Sequence, residues 1–306
     1  MERLVEKSWS DLLADILRGA GISTLPSNHI TVGSDYCGDD GTVWWTAAFL
    51  VIDWDATPSP RTVFNALIER STSVPQWKSF RSNSDLRIAS DFLERANTLN
   101  GCLITFTSRA KMFDVSLAKN SNLELSERKV LRHDWSNRKR FERATRVCHV
   151  LARILQVATD KHAEVEWFTD GDEICDCKAA TLDLVSIATS LRRHYCGATA
   201  PAIRVASSLK ENHAETARAL TVIPDLVAGA VNEKIRAQFD FSNRQEYGET
   251  HTVVLTPPSK ADRFLCIEGW LASDVPGIKK VQIVLDGDGD KIRLHRIISH
   301  PFEACP

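Results

Sequence analysis

The sequence predicts a mixed α/β protein: one sheet with helices on both faces, followed by a small β-rich region. Three observations carry that expectation. Short apolar runs rich in β-branched and aromatic residues recur through the first two thirds of the chain. Helical patterns separate the later runs, and that alternation is the signature of a sheet covered by helices. Past about residue 240 the texture changes to short strands and turns with little helix.

The elements follow in order. Val5, Trp9, Leu12, Leu13, Ile16 and Leu17 recur at helical spacing, and Gly19 and Gly21 stop the run, so an amphipathic helix is expected there. "HITVGSD" alternates with period two and ends in Gly and Asp, which reads as a strand closing near Asp35. "TVWWTAAFLVID" is nearly all apolar and reads as a buried second strand, with "GDDG" as hairpin chemistry between the two. "SPRTVFNALIERS" opens with Ser and Pro ahead of a helical pattern. "SDLRIASDFLERANTLNG" reads as a helix capped by Ser84 or Asp85 and stopped by Gly101. "CLITFTS" is a third strand, and "RFERATRVCHVLARILQVATD" a long helix with Val147, Val150, Leu151, Ile154 and Leu155 on one face. "AEVEWFTDGDE" is a strand ending in Asp170 and Asp172. "AATLDLVSIATSLRRHYCG" is a helix closed by Gly197, and "PAIRVASS" a strand. "IPDLVAGAVNEKIRAQF" is a helix with Pro224 at its first position. "THTVVLT", "RFLCIEG" and "KKVQIVLDGDGDKIRLHRIIS" read as strands and turns. The expected organisation is a helix over 1–25, a main domain over 26–240 and a β-rich subdomain over 241–306.

Composition narrows the class. The chain has 306 residues, 43% hydrophobic and 25% charged, enough for a large core. No window reaches the length of a membrane helix, and charges interrupt every apolar core a signal peptide would need, so a cytoplasmic protein without a membrane partner is expected. The eight cysteines are scattered, which predicts reduced thiols; the Cys175–Cys177 pair lacks the second pair of a zinc site. Net charge is −2, yet "ERKVLRHDWSNRKRFERATR", Glu127 to Arg146, holds eight Lys or Arg against three acids. Such a run is either a solvated face or a phosphate-contacting patch.

Three carboxylates stand at the ends of elements: Asp35 after the first strand, Asp170 after the fourth, and Asp225 at the opening of the last long helix. Ligand sites of open α/β sheets gather beyond strand ends and at helix N-termini. A hard divalent cation needs several oxygen ligands, which carboxylates from separate elements can supply. Two such ions about 4 Å apart clamp the attacking and leaving oxygens of a phosphodiester. Asp225 sits in the apolar context "VIPDLVAGAV", where a simple first-turn acid is the plainer reading and a buried functional carboxylate the sharper one.

Taken together, these segments resemble the DUF3800 family, a group with a ribonuclease H-like (retroviral integrase-like) fold. Its opening strand ends in Asp-Glu-Ser-Gly before a hairpin; here "SDYCGDDG" supplies Asp35 and Gly38, with Tyr36 and Cys37 in place of Glu and Ser. Its mid-chain strand ends in Asp, matched by Asp170 of "EVEWFTD". A Ser-x-Lys-like segment and a Gln-Leu-Ala-Asp-like helix close its core, matched by Ser208 and Lys210 of "SSLKEN" and Asp225 of "VIPDLVAGAV". "QWKSF" resembles its short lysine-bearing stretch and points at Lys78. The likeness covers roughly residues 28 to 238. It implies a ribonuclease H-like domain and metal-dependent cleavage of nucleic acid, with roles in mobile elements or phage defence.

On this reading Asp35, Asp170 and Asp225 bind Mg²⁺ or Mn²⁺, with Asp172 as a further candidate ligand; Asp39 and Asp40 are other sources of a missing carboxylate. Lys78 and Lys210 steady the scissile phosphate, and the basic run, Arg138, Lys139 and Arg140 among it, holds the strand. A second reading keeps the fold but makes the chain a binding or sensing subunit, with a protein partner contacting residues after 240. A third is a phosphoesterase acting on a nucleotide. DNA and RNA are not distinguished by the sequence.

Other residues have plainer readings. "DGDGD", Asp286 to Asp290, starts like a calcium loop, but Lys291 and Ile297 occupy the positions that need Gly and Glu, so a hairpin turn is expected. His133 and Asp134 read as surface polar residues, and His149 as a satisfied core histidine. Trp77 and Trp135 could stack on unpaired bases, or simply pack.

Overall fold

In a computed structural model the described residues are 9–38, 43–57, 76–80, 82–109, 138–169, 174–207, 214–238, 251–255, 262–274, 277–288 and 291–299. Eight strands form one mixed sheet: β1 (His29–Cys37), β2 (Trp44–Asp53), β3 (Gly101–Arg109), β4 (Glu164–Thr169), β5 (Ile203–Ser207), β6 (His251–Leu255), β7 (Ile278–Asp288) and β8 (Lys291–Ser299). Their order is β5-β4-β1-β2-β3-β7-β8-β6. β2 runs antiparallel to both β1 and β3, while β4 lies parallel to β1, β5 parallel to β4 and β7 parallel to β3. The C-terminal ends of β1, β3, β4, β5 and β7 therefore share one end of the sheet. β8 returns antiparallel to β7, with Asp288 opposite Lys291, so the "DGDGD" stretch does bracket a hairpin; residues 289 and 290 lie outside the described set.

Period-two alternation splits the core into two layers. Trp45, Ala47, Phe49 and Val51 of β2 face one cluster, and Trp44, Leu50 and Ile52 face the other. The first layer is covered by α1 (Trp9–Gly19), α3 (Arg138–Ala158) and α4 (Lys178–Cys196). The second is covered by α2 (Asn83–Ala96), α5 (Ala214–Gln238) and α6 (Asp262–Ala272). β2 is buried along its whole length, as a strand sandwiched between helical layers must be. Among the described residues no helix is long and apolar enough to cross a membrane.

α1 buries Trp9, Leu13 and Leu17, the stripe its spacing predicts, and Arg153 of α3 pins it by bonds to Ser10 Oγ and Asp11 Oδ1, each 2.8 Å. His149 is a satisfied, half-buried histidine of α3: its Nδ1 lies 2.9 Å from the Tyr195 hydroxyl, and desolvation pulls its imidazole down to about 4. Seven cysteines among the described residues are free thiols.

Four boundaries differ from the sequence reading. α2 ends at Ala96, capped by Asn97, and Gly101 opens β3 instead of stopping the helix. The cap of α2 is Ser82, not Ser84 or Asp85. Ser82 Oγ accepts from the Asp85 N–H while the Asp85 carboxylate accepts from the Ser82 N–H, a closed capping box. Residues 262–272 form a helix rather than a strand; Phe264, Ile267, Glu268 and Leu271 fall on one buried face at helical spacing. α5 begins at Ala214, so Pro224 lies inside it and not at its start. Proline cannot donate to the carbonyl of Leu220 four residues earlier. That carbonyl oxygen is turned onto β1, where a Cβ on Gly33 would stand 2.2 Å from it. The proline defect thus sits where the helix meets the strand most closely, and only a glycine in β1 admits it. The hairpin residues 39–42, the segment "SPRTVFNALIERS" and the basic run before residue 138 lie outside the described residues.

Candidate functional site

The site is built where α5 crosses the C-terminal half of β1. Leu220 rests on Gly33, and Asn232 further along donates to Trp44 O at 3.2 Å and to Thr46 Oγ1 at 3.1 Å, beside Cys37 in register. Asp225 lies between these two anchor points on the helix. Below it, β1 alternation sends Ile30, Val32 and Tyr36 to the α3 layer and Gly33, Asp35 and Cys37 toward α5.

Asp35 is buried at 8% exposure, and its Oδ1 accepts from the Tyr36 N–H at 2.8 Å. Asp225 is half-buried, and its Oδ2 accepts from the Trp77 N–H at 2.6 Å. Both carboxylates act on one thiol. Burial is the main reason that Cys37 is pushed up to about 11; the charges of Asp35 and then Asp225 push the same way, while Lys78 and the Gly38 backbone pull against them. Two acids and Lys78, drawn from β1, α5 and a loop far apart in sequence, therefore share one electrostatic neighbourhood. Lys78 itself is exposed, in a short 3-10 turn (Trp77–Ser79) lying on α5.

Tyr36 faces the opposite side of the sheet from Asp35. Its hydroxyl lies 2.6 Å from Ser34 Oγ and 3.0 Å from Thr169 Oγ1, and its ring stacks on Trp45 with centroids 6.4 Å apart. Just past β1, the carbonyl of Gly38 accepts from Arg143 Nη2 at 2.9 Å, so α3 ties down the exit of the strand.

The remaining sequence candidates divide as follows. Asp170, Asp172, Ser208 and Lys210 lie outside the described residues, although the strands that precede them, β4 and β5, end on the same side of the sheet as β1. Arg138 and Lys139 open α3, with side chains outside the described set. Arg140 is largely buried and ion-paired with Asp176 at 2.6 Å. Basic residues in the first turn run against the helix dipole, and Asp176 offsets one of them. Trp77 is core, only 4% exposed, so it is no platform for a stacked base. Asp286 of the "DGDGD" stretch is buried against Arg109, 3.0 Å from its Nε. His133, Asp134 and Trp135 lie outside the described residues.

Sequence reasoning missed Glu233. It accepts from Trp77 Nε1 at 2.9 Å, and Asp225, Gly229 and Glu233 make one stripe at i, i+4 and i+8 on α5. An acid, a glycine and an acid at that spacing in "DLVAGAVNE" is the signal that was available. Among the described residues no group of three or more His, Cys, Asp and Glu is arranged to hold a metal ion. The chemistry of the donors does suit a hard cation: two carboxylates from separate elements, beside a thiol that burial, and then their charges, push up. No protein-family model, curated protein or solved structure matches the chain.

Proposed function

We propose that the chain is a metal-dependent nuclease of ribonuclease H-like fold, akin to the DUF3800 family. The observation that carries this reading is that α5, packed on Gly33, brings Asp225, held by the Trp77 N–H next to Lys78, to the same face of β1 as the buried Asp35. The order β3-β2-β1-β4-β5, with β2 alone reversed among them, supports it as the arrangement expected of a ribonuclease H-like sheet.

In this mechanism Asp35 and Asp225 would hold Mg²⁺ or Mn²⁺, and Asp170 or Asp172, following β4, would complete the carboxylate set. The bound ion would supply Lewis-acid polarisation of the phosphate and a more acidic water. Burial of Asp35 keeps its carboxylate in one rotamer, and the Trp77 N–H does the same for Asp225. Lys78 presents its ammonium to the scissile phosphate. Lys210 and the basic run up to Lys139 would track the rest of the strand, Arg140 being committed to Asp176. Cys37 stays neutral and adds no charge to the site.

The test is cleavage of labelled single- and double-stranded DNA and RNA by wild type, Asp35→Ala and Asp225→Asn, in Mg²⁺, Mn²⁺ and EDTA. Asp225→Asn keeps an oxygen acceptor for the Trp77 N–H, removes the charge and turns the other oxygen into an NH₂ donor. Cleavage by wild type alone, abolished by EDTA, is the expected result. Full activity in a correctly folded Asp225→Asn protein would sink the assignment.

A further inference from the structure

Trp77 is held by groups from two elements, α5 and α6. Its backbone N–H is bonded to Asp225, and its indole N–H to Glu233. Its ring lies flat over Gly229, where an added Cβ would stand 2.1 Å from Cδ1 and Cγ. From the C-terminal region, Phe264 meets the ring edge-on at 5.2 Å, and the Arg263 guanidinium covers it at 4.6 Å. Arg263 also reaches Glu233 at 3.3 Å. The residue after Trp77 is Lys78.

We infer that Glu233 is a positioning residue of the proposed site, acting through Trp77 on Asp225 and Lys78 together, and that α6 supplies the outer half of the clamp. The inference rests on the nuclease reading. One side chain, Trp77, touches both ends of the arrangement. Its amide fixes the rotamer of a carboxylate, and its neighbour carries the ammonium. Rotating the indole away from Glu233 swings the short turn, and so moves both groups at once. A site that needs its groups within a fraction of an ångström loses rate when such a support is removed. The C-terminal region thereby gains a role in the reaction without touching substrate, because α6 carries Arg263 and Phe264 and is itself fixed to α5 by the buried Lys234–Glu268 pair, 2.7 Å apart.

The experiment uses full-length protein carrying fluorotryptophan, with the Trp77 signal assigned by its absence in Trp77→Phe. Fluorine NMR and cleavage kinetics in Mn²⁺ are recorded for wild type, Glu233→Ala and Glu233→Gln. Glu233→Ala is expected to move the Trp77 signal alone among the eight tryptophans. It should lower kcat about tenfold or more, with KM changed less. Glu233→Gln keeps an oxygen acceptor for the indole and should restore both the signal and most of the rate. A moved signal with unchanged kcat would overturn the inference, and so would an unmoved signal. A wild type that cleaves nothing removes the nuclease reading first, and the inference falls with it. That outcome is distinct because it appears before any variant is compared.

Discussion

Replacing Gly229 by alanine sets two effects of known sign against each other. A glycine inside a helix costs up to about 1 kcal/mol relative to alanine, so propensity alone predicts a more stable protein. The new methyl, however, would sit 2.1 Å from two ring atoms of Trp77. The ring cannot slide freely, because Asp225, Glu233, Phe264 and Arg263 hold it. Overpacking of this kind costs ~1–3 kcal/mol. Expelling the ring would forfeit its burial, at ~3–5 kcal/mol for a truncated aromatic, so a strained shift in place is the cheaper response. The balance leaves Gly229→Ala roughly 0–2 kcal/mol less stable than wild type. Gly269 in α6 provides the control, since it is exposed and nothing lies within 4 Å of its would-be Cβ. Gly269→Ala should gain up to about 1 kcal/mol. Propensity cancels between the two alanines, so their difference of ~1–3 kcal/mol isolates the Trp77 contact. Urea unfolding midpoints at constant m-value measure it. Two variants stabilised equally would refute the packing of Trp77 on the helix.

Two further outcomes follow from buried ionisable groups. Lys234 and Glu268 are 0% and 2% exposed, so Lys234→Met alone should cost ~3–5 kcal/mol by stranding a buried carboxylate, while Lys234→Met with Glu268→Leu should recover nearly all of it in the same unfolding assay. His149 is held down to about 4, against about 6.5 in an unfolded chain. The unfolded state therefore binds a proton first as pH falls, and the native state loses about 1.4 kcal/mol per pH unit between those two values, with no effect above the upper one. His149→Gln should flatten that part of the stability–pH curve; an unchanged slope would count against the burial of His149.

Most of the sheet was legible because its strands are unusually apolar. β2 has no polar face to mislead a reader, and β1, β3, β4 and β5 end at glycine, aspartate or serine signals. The errors have local causes. Pro224 looks like a helix start because prolines usually sit there; here it lies inside α5, where the Leu220 carbonyl it leaves unbonded packs against Gly33, a contact no local pattern declares. α6 looked like a strand because "RFLCIEGWL" is apolar almost throughout, and short apolar runs do not declare a period. At the site, Asp35 and Asp225 stood out as acids in apolar surroundings. The clamp on Trp77 did not, because it joins a turn to helices far away in sequence, and no local pattern encodes that distance.

The pairing of β3 with β7 also has a consequence for how the chain matures. Every residue of β3 from Gly101 to Ser108 is buried, and one of its two edges is satisfied only by a strand near the end of the sequence. On the ribosome that edge must wait, bare and strongly β-forming, while the whole of α3 to α6 is synthesised. A nascent chain in that state is open to chaperone capture or to pairing with a neighbouring polypeptide. A chain shortened before β7 would keep its hazard permanently and should collect in inclusion bodies.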